Sequence, residues 1–346
     1  MRVGVLGATG AVGSTILEVL SERNFPVSEV VPFASERSVG KKVSWAGGGE
    51  VAAGELSCRA LSADSIQGIE IAISSAGGTV SAEWAPRLVE AGAVVVDNTS
   101  FWRMNEEVPL VIPEVNPEAA DSHRGIVANP NCSTMQMIVA LAPLHREAGL
   151  ARLVVSTYQS VSGTGQRAIE ELRTQSAAVL AGEQVPQPEI YPHQIAFNAL
   201  PQVESFKEGD DYTTEERKLM AESRKILGLS EEELPISATC VRVPVFNAHS
   251  ESVNLETHSD LSPERCREIL AASPGVIVVD NPGDAFYPLA LDAAGRDEVL
   301  VGRIRRDPGR ASCLNLWIVG DNLRKGAATN AVQVAELLLE RNLLRA

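Results

Sequence analysis

Arg2-Val3-Gly4-Val5-Leu6-Gly7-Ala8-Thr9-Gly10-Ala11-Val12-Gly13 opens the chain, and an amphipathic run through Ile16, Leu17, Val19 and Leu20 follows it. The order is strand, glycine turn, helix. Glycines at the end of a strand let the backbone turn tightly and approach a ligand closely, and the helix behind them offers unpaired N–H groups and a positive dipole end to an anion. The spacing is G-x-x-G-x-x-G, a variant of the commoner G-x-G-x-x-G, and its place between an apolar strand and a helix is the context such a motif needs. The segment predicts a dinucleotide-binding fold with Gly7, Thr9, Gly10, Ala11, Val12 and Gly13 at the pyrophosphate.

Strands and helices alternate behind it. Residues 29–34 read as a second strand, and Ser35-Glu36-Arg37-Ser38-Val39-Gly40-Lys41 follows where the adenosine ribose would lie. An acid there selects a free 2′-hydroxyl, whereas hydroxyls and an arginine select a 2′-phosphate. Ser35, Arg37 and Ser38 outweigh Glu36, so NADP is favoured; a solvated loop in which Arg37 pairs with a neighbouring acid is the competing reading. Residues 69–78 give a buried strand ending in a small, glycine-rich turn that includes Ser75; residues 80–91 suit a helix and residues 93–97 a further strand. This alternation predicts a parallel, doubly wound sheet of the Rossmann type. Arg103, in the loop after that last strand, either faces an anion or lies at the surface with its stem over Trp102.

Asn129-Pro130-Asn131-Cys132-Ser133-Thr134 joins the short apolar run 125–128 to a mostly apolar helix that Gly149 can end. Cys132 thus sits where a strand turns into a helix. The free N–H groups of a first turn favour a thiolate over a thiol, which makes a nucleophile. A small buried hydrophobe is the other common fate of a free cysteine, and position alone does not decide between them.

Beyond Gly149 the pattern changes. Residues 152–161 form a long strand, Ser162-Gly163-Thr164-Gly165 turns it into a helix over 166–181, and strands at 239–245, 252–258, 298–305 and 311–319 are separated mostly by turns. That grouping predicts a mixed or antiparallel sheet of the α+β kind. The expected boundaries are an NADP-binding domain of residues 1–131 with 325–346, and a catalytic and dimerisation domain of residues 132–324. Residues 182–212 form a long irregular excursion, of the sort that is usually functional or covers a partner. Thr213-Thr214-Glu215-Glu216 starts a helix with a fair cap pattern, and on residue types alone Glu215 and Lys218 read as a solvated i, i+3 ion pair. Arg242 and His249 flank a turn between two strands: an imidazole can take up and return a proton, and an arginine can grip a carboxylate.

At 346 residues the chain is long enough for two domains. No apolar run is long enough to span a bilayer, and a start directly on a strand leaves no room for a signal peptide, so a cytoplasmic location is expected. A net charge of −15 without a basic stripe argues against nucleic-acid binding. The five cysteines, widely spaced and without a C-x-x-C pair, suggest neither a disulfide framework nor a metal site.

Taken together, the chain resembles the aspartate-semialdehyde dehydrogenase family over essentially its whole length. The resemblance rests on the glycine turn, the 35–41 loop, Asp97-Asn98-Thr99-Ser100, Val111-Ile112-Pro113-Glu114-Val115-Asn116, the Cys132 motif, Gln194-Ile195-Ala196-Phe197-Asn198, and Asp321-Asn322-Leu323-Arg324-Lys325-Gly326-Ala327-Ala328. It implies reversible NADPH-dependent reductive dephosphorylation of L-aspartyl 4-phosphate to aspartate 4-semialdehyde, on the route to lysine, threonine and methionine, by a homodimer. It also implies residue roles. Cys132 is the nucleophile, His249 the acid and base, and Gln159 an orienting partner near the cysteine. Arg242 clamps the substrate α-carboxylate, Glu215 binds its α-amino group, and Arg103 and Lys218 hold phosphate; this overturns the solvated-pair reading of Glu215 and Lys218. Ser162, Gly163 and Asn322 lie towards the nicotinamide. Two departures are Glu36, where a small neutral residue is expected, and Phe101-Trp102-Arg103 in place of Ala-Phe-Arg. The competing activities are an N-acetyl-γ-glutamyl-phosphate reductase, which needs no carboxylate for a free amino group, and a catalytically silent nucleotide-binding homologue.

Overall fold

The structure, a computed structural model, describes residues 1–344 and divides the chain into two compact units. The first comprises Met1–Asn131 and the C-terminal stretch from Ala327. Its strands are β1 (Arg2–Leu6), β2 (Glu29–Phe33), β3 (Lys42–Trp45), β4 (Gly54–Ser57), β5 (Ile71–Ser74), β6 (Val94–Asp97) and β7 (Ile126–Ala128), with helices α1 (Ala11–Glu22) and α2 (Gly78–Glu90). The main sheet runs β2-β1-β5-β6-β7, all parallel. β5 and β6 are buried at every position, as continuous apolar runs must be when both sheet faces are covered. The chain leaves β1 towards β2 on one side and returns to β5 on the other, so strand order reverses at β1/β5, the place where a doubly wound sheet leaves a ligand crevice. The loop after β1 holds the glycine turn and the loop after β5 holds Ser75.

Residues 42–57 carry an antiparallel hairpin, β3 with β4, that the sequence pattern hides because Gly47, Gly48 and Gly49 interrupt it. It tucks Trp45 into the core of this unit, 2% exposed. At Gly13 a side chain has nowhere to go: an added Cβ would collide with the Gly7 carbonyl oxygen and stand 2.8 Å from the Ala8 Cα. Gly13→Ala therefore pushes α1 away from the turn, with an expected loss of about 3 kcal/mol of stability and of NADP binding. Thermal melting with and without NADP measures both.

The second unit, Cys132–Gly326, holds α3 (Cys132–Ala148), β8 (Leu150–Gln159), α4 (Gln166–Ala181), α5 (Thr214–Leu227), β9 (Ile236–Arg242), β10 (His249–Thr257), α6 (Pro263–Ala271), β11 (Val276–Val278), α7 (Ala290–Ala293), β12 (Val299–Asp307) and β13 (Arg310–Gly320). The sheet runs β11-β12-β13-β10-β8-β9 and is mixed: β8 with β9 and β11 with β12 are parallel, the other pairs antiparallel. Residues 133–142 of α3 are all buried, so this helix forms the centre of the unit against the sheet. On β10 His249, Glu251, Val253 and Leu255 are buried while Ser252, Asn254 and Glu256 on the other face are half-buried, the alternation expected of a sheet with one deep face. β9 stops at Arg242 because Pro244 cannot continue the ladder. No helix among the described residues is long and apolar enough to cross a membrane.

Candidate active site

Strand order assembles the site in the second unit. β9 and β10 are consecutive in the chain but not neighbours, because β8 lies between them. β8 ends at Gln159, level with Arg242 at the end of β9, and Tyr158 is level with Ser250, one step after His249 begins β10. Gln159 therefore falls between Arg242 and His249 on the buried face of one sheet end. All three are almost wholly enclosed, at 1%, 5% and 0% exposure.

His249 is oriented by Ser160. The Ser160 backbone N–H donates to His249 Nδ1 at 3.0 Å, so the neutral ring carries its proton on Nε2, which has no partner among the described residues. Burial, and then the charge of Arg242, hold its pKa well below the usual imidazole value. The resting ring thus presents a hydrogen-bond donor at Nε2. Asn322 braces the same corner: its Oδ1 accepts from Ser160 Oγ at 2.9 Å and from the Ala248 N–H at 3.0 Å, and its Nδ2 donates to Ser162 Oγ at 2.9 Å. A Cβ on Gly163 would stand 3.3 Å from His249 Nε2 and 3.4 Å from Arg242 Nη1, so this glycine leaves open the space into which both groups point.

Arg242 donates from Nη1 to the Ser160 carbonyl oxygen at 2.6 Å, its Nε has no partner, and its guanidinium lies 5.9 Å from the centre of the Tyr191 ring. No carboxylate of the described chain pairs with it. The 182–212 excursion supplies Tyr191 and also Leu200, whose backbone exchanges two hydrogen bonds with that of Arg242, at 2.9 and 2.8 Å. The excursion covers the chain's own site residues.

Across from Arg242, Gln159 Nε2 donates to Glu215 Oε1 at 2.9 Å. α5 delivers Glu215 because its N-terminus is tied down twice. Thr213 and Glu216 close a capping box, and Glu216 Oε1 accepts the Cys240 N–H of β9 at 2.8 Å. Glu215 is 4% exposed, so its 3.5 Å contact with Lys218 is no solvated pair. Lys218 also bonds Glu204 of the excursion.

Cys132 begins α3 and is the one cysteine of the five that is not buried. Burial pushes the Cys240 thiol far up and the Cys266 thiol up to about 12, which makes both poor nucleophiles at neutral pH. The choice left open by the sequence, nucleophile or buried hydrophobe, is thereby weighted towards the former for Cys132.

The remaining expected residues belong to the first unit. Arg103 is not a surface arginine: 7% exposed, it donates from Nε to the Asn129 carbonyl oxygen at 2.9 Å and from Nη2 to that of Asn98 at 2.7 Å. Trp102 instead turns its indole N–H to Ser81 Oγ at 2.9 Å. The glycine turn fits a dinucleotide. The N-cap of α1 is Gly10, which has no side chain to satisfy the helix N–H groups, and so leaves them for an anion. Ser35, Glu36, Arg37 and Ser38 follow the end of β2, Ser35 to Arg37 exposed.

Ser160, Tyr191 and Glu204 were not legible as site residues. Ser160 acts through its backbone N–H and C=O, which leave no mark on residue type; the run of small residues 160–165 after a strand is the only available hint.

Comparison with known proteins bears on all of this. Residues 2–123 match the family model described as semialdehyde dehydrogenase, NAD binding domain, and residues 141–325 match the semialdehyde dehydrogenase dimerisation domain. An aspartate-semialdehyde dehydrogenase of Aquifex aeolicus is 54% identical over 346 residues, covering 99% of each chain. The crystal structure of aspartate semialdehyde dehydrogenase II from Vibrio cholerae complexed with ASA superposes with a TM-score of 0.91 at 45% identity, covering 98% of each chain. The Candida albicans enzyme with NADP superposes with a TM-score of 0.73 at 27% identity, covering 99% of each. The chain belongs to the aspartate-semialdehyde dehydrogenase family.

Proposed function

We infer that this chain is a homodimeric, NADP-dependent aspartate-semialdehyde dehydrogenase of lysine, threonine and methionine biosynthesis, acting in the cytoplasm. The observation that carries the substrate assignment is the pairing of a buried, carboxylate-free Arg242 with a buried Glu215 on the same sheet end. One binds an α-carboxylate and the other an α-ammonium, so the site suits a free amino acid and not an N-acylated one.

In the reductive direction Cys132 Sγ forms a bond to C4 of aspartyl phosphate as the C4–O bond to phosphate breaks, leaving a thioester on the enzyme. Lys218 and Arg103 bind the departing phosphate. NADPH, held by the 7–13 turn, by Ser35, Arg37 and Ser38 and near Ser75, Ser162, Gly163 and Asn322, supplies a hydride when bound. The tetrahedral oxyanion on Cys132 is stabilised by the His249 Nε2–H and collapses to the aldehyde, returning the thiolate. One proton is consumed overall, by the departing phosphate, which leaves as the hydrogen phosphate dianion; the collapse of the oxyanion to aldehyde and thiolate needs none, so a neutral imidazole with its proton already on Nε2 suffices for that step. Gln159 holds Glu215, and so fixes the amino end of the substrate relative to Cys132.

The dimer reading draws on the face of the second sheet opposite α3. Tyr158 and Trp317, with ring centres 5.4 Å apart, line a groove of about 490 Å³ together with Ser250, Ser252, Leu316 and Arg303.

The test is NADPH formation from aspartate semialdehyde, NADP and phosphate. Phosphate-dependent turnover of the free amino aldehyde is the expected result. Turnover only with N-acetylglutamate semialdehyde would assign the reductase activity instead, and NADP binding without any turnover would leave the silent homologue.

A further inference from the structure

Glu251 is used by nothing in the mechanism above, yet it is wholly enclosed, and neither of its carboxyl oxygens has a hydrogen-bond partner. It lies on β10 two residues after His249, on the same buried face. The residues level with it are Thr157 on β8 and Ile318 on β13, neither of them charged. Among the titratable groups around it, His249 is held neutral, and the Cys240 thiol, level with Thr157 on the far strand, is pushed up by burial and further by the nearby carboxyl groups of Glu215, Glu216 and Glu251. Above the sheet stands Gln136 of α3, one helical turn after Cys132 and 1% exposed.

Gln136 is set with care. Its Nε2 donates to the His249 carbonyl oxygen at 3.3 Å, which fixes the orientation of the carboxamide, and its Oε1 is left without a donor. It lies directly on Gly320, the residue level with His249 on β13, where any Cβ would stand 2.8 Å from Oε1. The molecule thus contains a buried carboxyl without a hydrogen bond in good geometry and, within reach of it, a buried carboxamide oxygen without a donor.

We propose that Glu251 is a positioning residue that works as a neutral carboxylic acid, its O–H donating to Gln136 Oε1 and so bracing, through Gln136, the helix that begins with Cys132 against the strand that begins with His249. One proton satisfies both orphaned groups. An ionised carboxylate in this place would have lost its water without gaining a cation or an N–H in good geometry. Burial accordingly drives its pKa well above the carboxylate range, and the Gln136 amide, which acts in the opposite direction, does not offset it. The role in turnover rests on the assignment of Cys132 and His249 given above; the protonation state does not.

The experiment compares the full-length wild type with Glu251→Gln, which keeps a neutral donor of the same shape, and Glu251→Leu, which removes it. In infrared difference spectra at neutral pH the wild type shows the carbonyl band of a protonated acid that E251Q lacks; a carboxylate signature in its place overturns the proposal. The folded wild type must keep a proton that the unfolded chain has released, so its stability falls as pH rises through the window between the two pKa values. The melting temperature of E251Q should therefore exceed that of wild type by a margin that widens from about pH 5 to pH 8. A constant or shrinking margin counts against it. E251Q is expected to keep kcat within about two-fold and E251L to lose about ten-fold with KM nearly unchanged. An E251Q variant that is as impaired as E251L, or does not fold, overturns the proposal, as does an E251L variant of full activity. Should the wild type itself not turn over, the functional assignment fails while the infrared and melting results still decide the state of Glu251.

Discussion

Cys132→Ala removes phosphate-dependent NADPH formation, lowering kcat by about 10⁴-fold or more, while the melting temperature and NADP binding stay close to wild type. The loss is large because no neighbouring nucleophile is accessible to take over the acyl group: the other four cysteines are buried, and so are Ser133 and Thr134, which follow Cys132 in α3. Stability should hold because Cys132 is only half-buried at the first position of its helix, and alanine is a good helix former. NADP binding should hold because the glycine turn lies in the other unit. Single-turnover mixing with aspartyl phosphate adds the sharper readout, since C132A should release no phosphate at all. A variant that still released phosphate at the wild-type rate would remove the thioester from the account.

His249→Ala is expected to lower kcat by about 10²–10³-fold with little change in KM, the cost of losing one donor to a developing oxyanion. The pH profile separates this role from that of a base. With its pKa well below the usual value, the ring stays neutral as pH falls through the ordinary histidine range, so wild-type kcat should not decline around pH 6.5. A general base of ordinary pKa would lose activity there. Stability carries the matching sign. The unfolded chain takes up a proton on this histidine before the folded one does, so the folded state loses stability as pH drops from the unfolded pKa towards the lower folded one, and H249A should escape that loss. An acid limb of kcat near pH 6.5 that disappears in H249A would restore the base.

Cofactor and substrate residues differed sharply in how far they could be read in advance. The glycine turn, the strand–helix alternation and the cap of α5 are local: each depends on residues within a turn or two of one another, and periodicity or a capping box reports them directly. The β3–β4 hairpin was not legible, because three glycines break its alternation. The strand expected at 239–245 lies three residues earlier, at Ile236–Arg242, since tertiary pairing ends it at Arg242 and the loop 243–248 has to cross the end of β8. Glu215 and Lys218 read as a surface pair from spacing alone; only the packing of α5 on β9 shows that Glu215 is enclosed.

The sequence by itself determined the parallel, doubly wound character of the first unit, the mixed sheet of the second, the helix-opening position of Cys132, and the family to which the chain belongs. Those properties follow from hydrophobic period, glycine placement and motif order, all written along the chain. Tertiary structure alone decided that β8 slots between β9 and β10, which brings Gln159 between Arg242 and His249. It also decided the tautomer of His249, through one backbone N–H of Ser160, and the enclosure of Glu251 beside Gln136 without a hydrogen bond in good geometry. The physical reason is that period tells which face of a strand is buried but not which strand will lie beside it. A proton on one imidazole nitrogen, or on a carboxyl at neutral pH, depends on that neighbour.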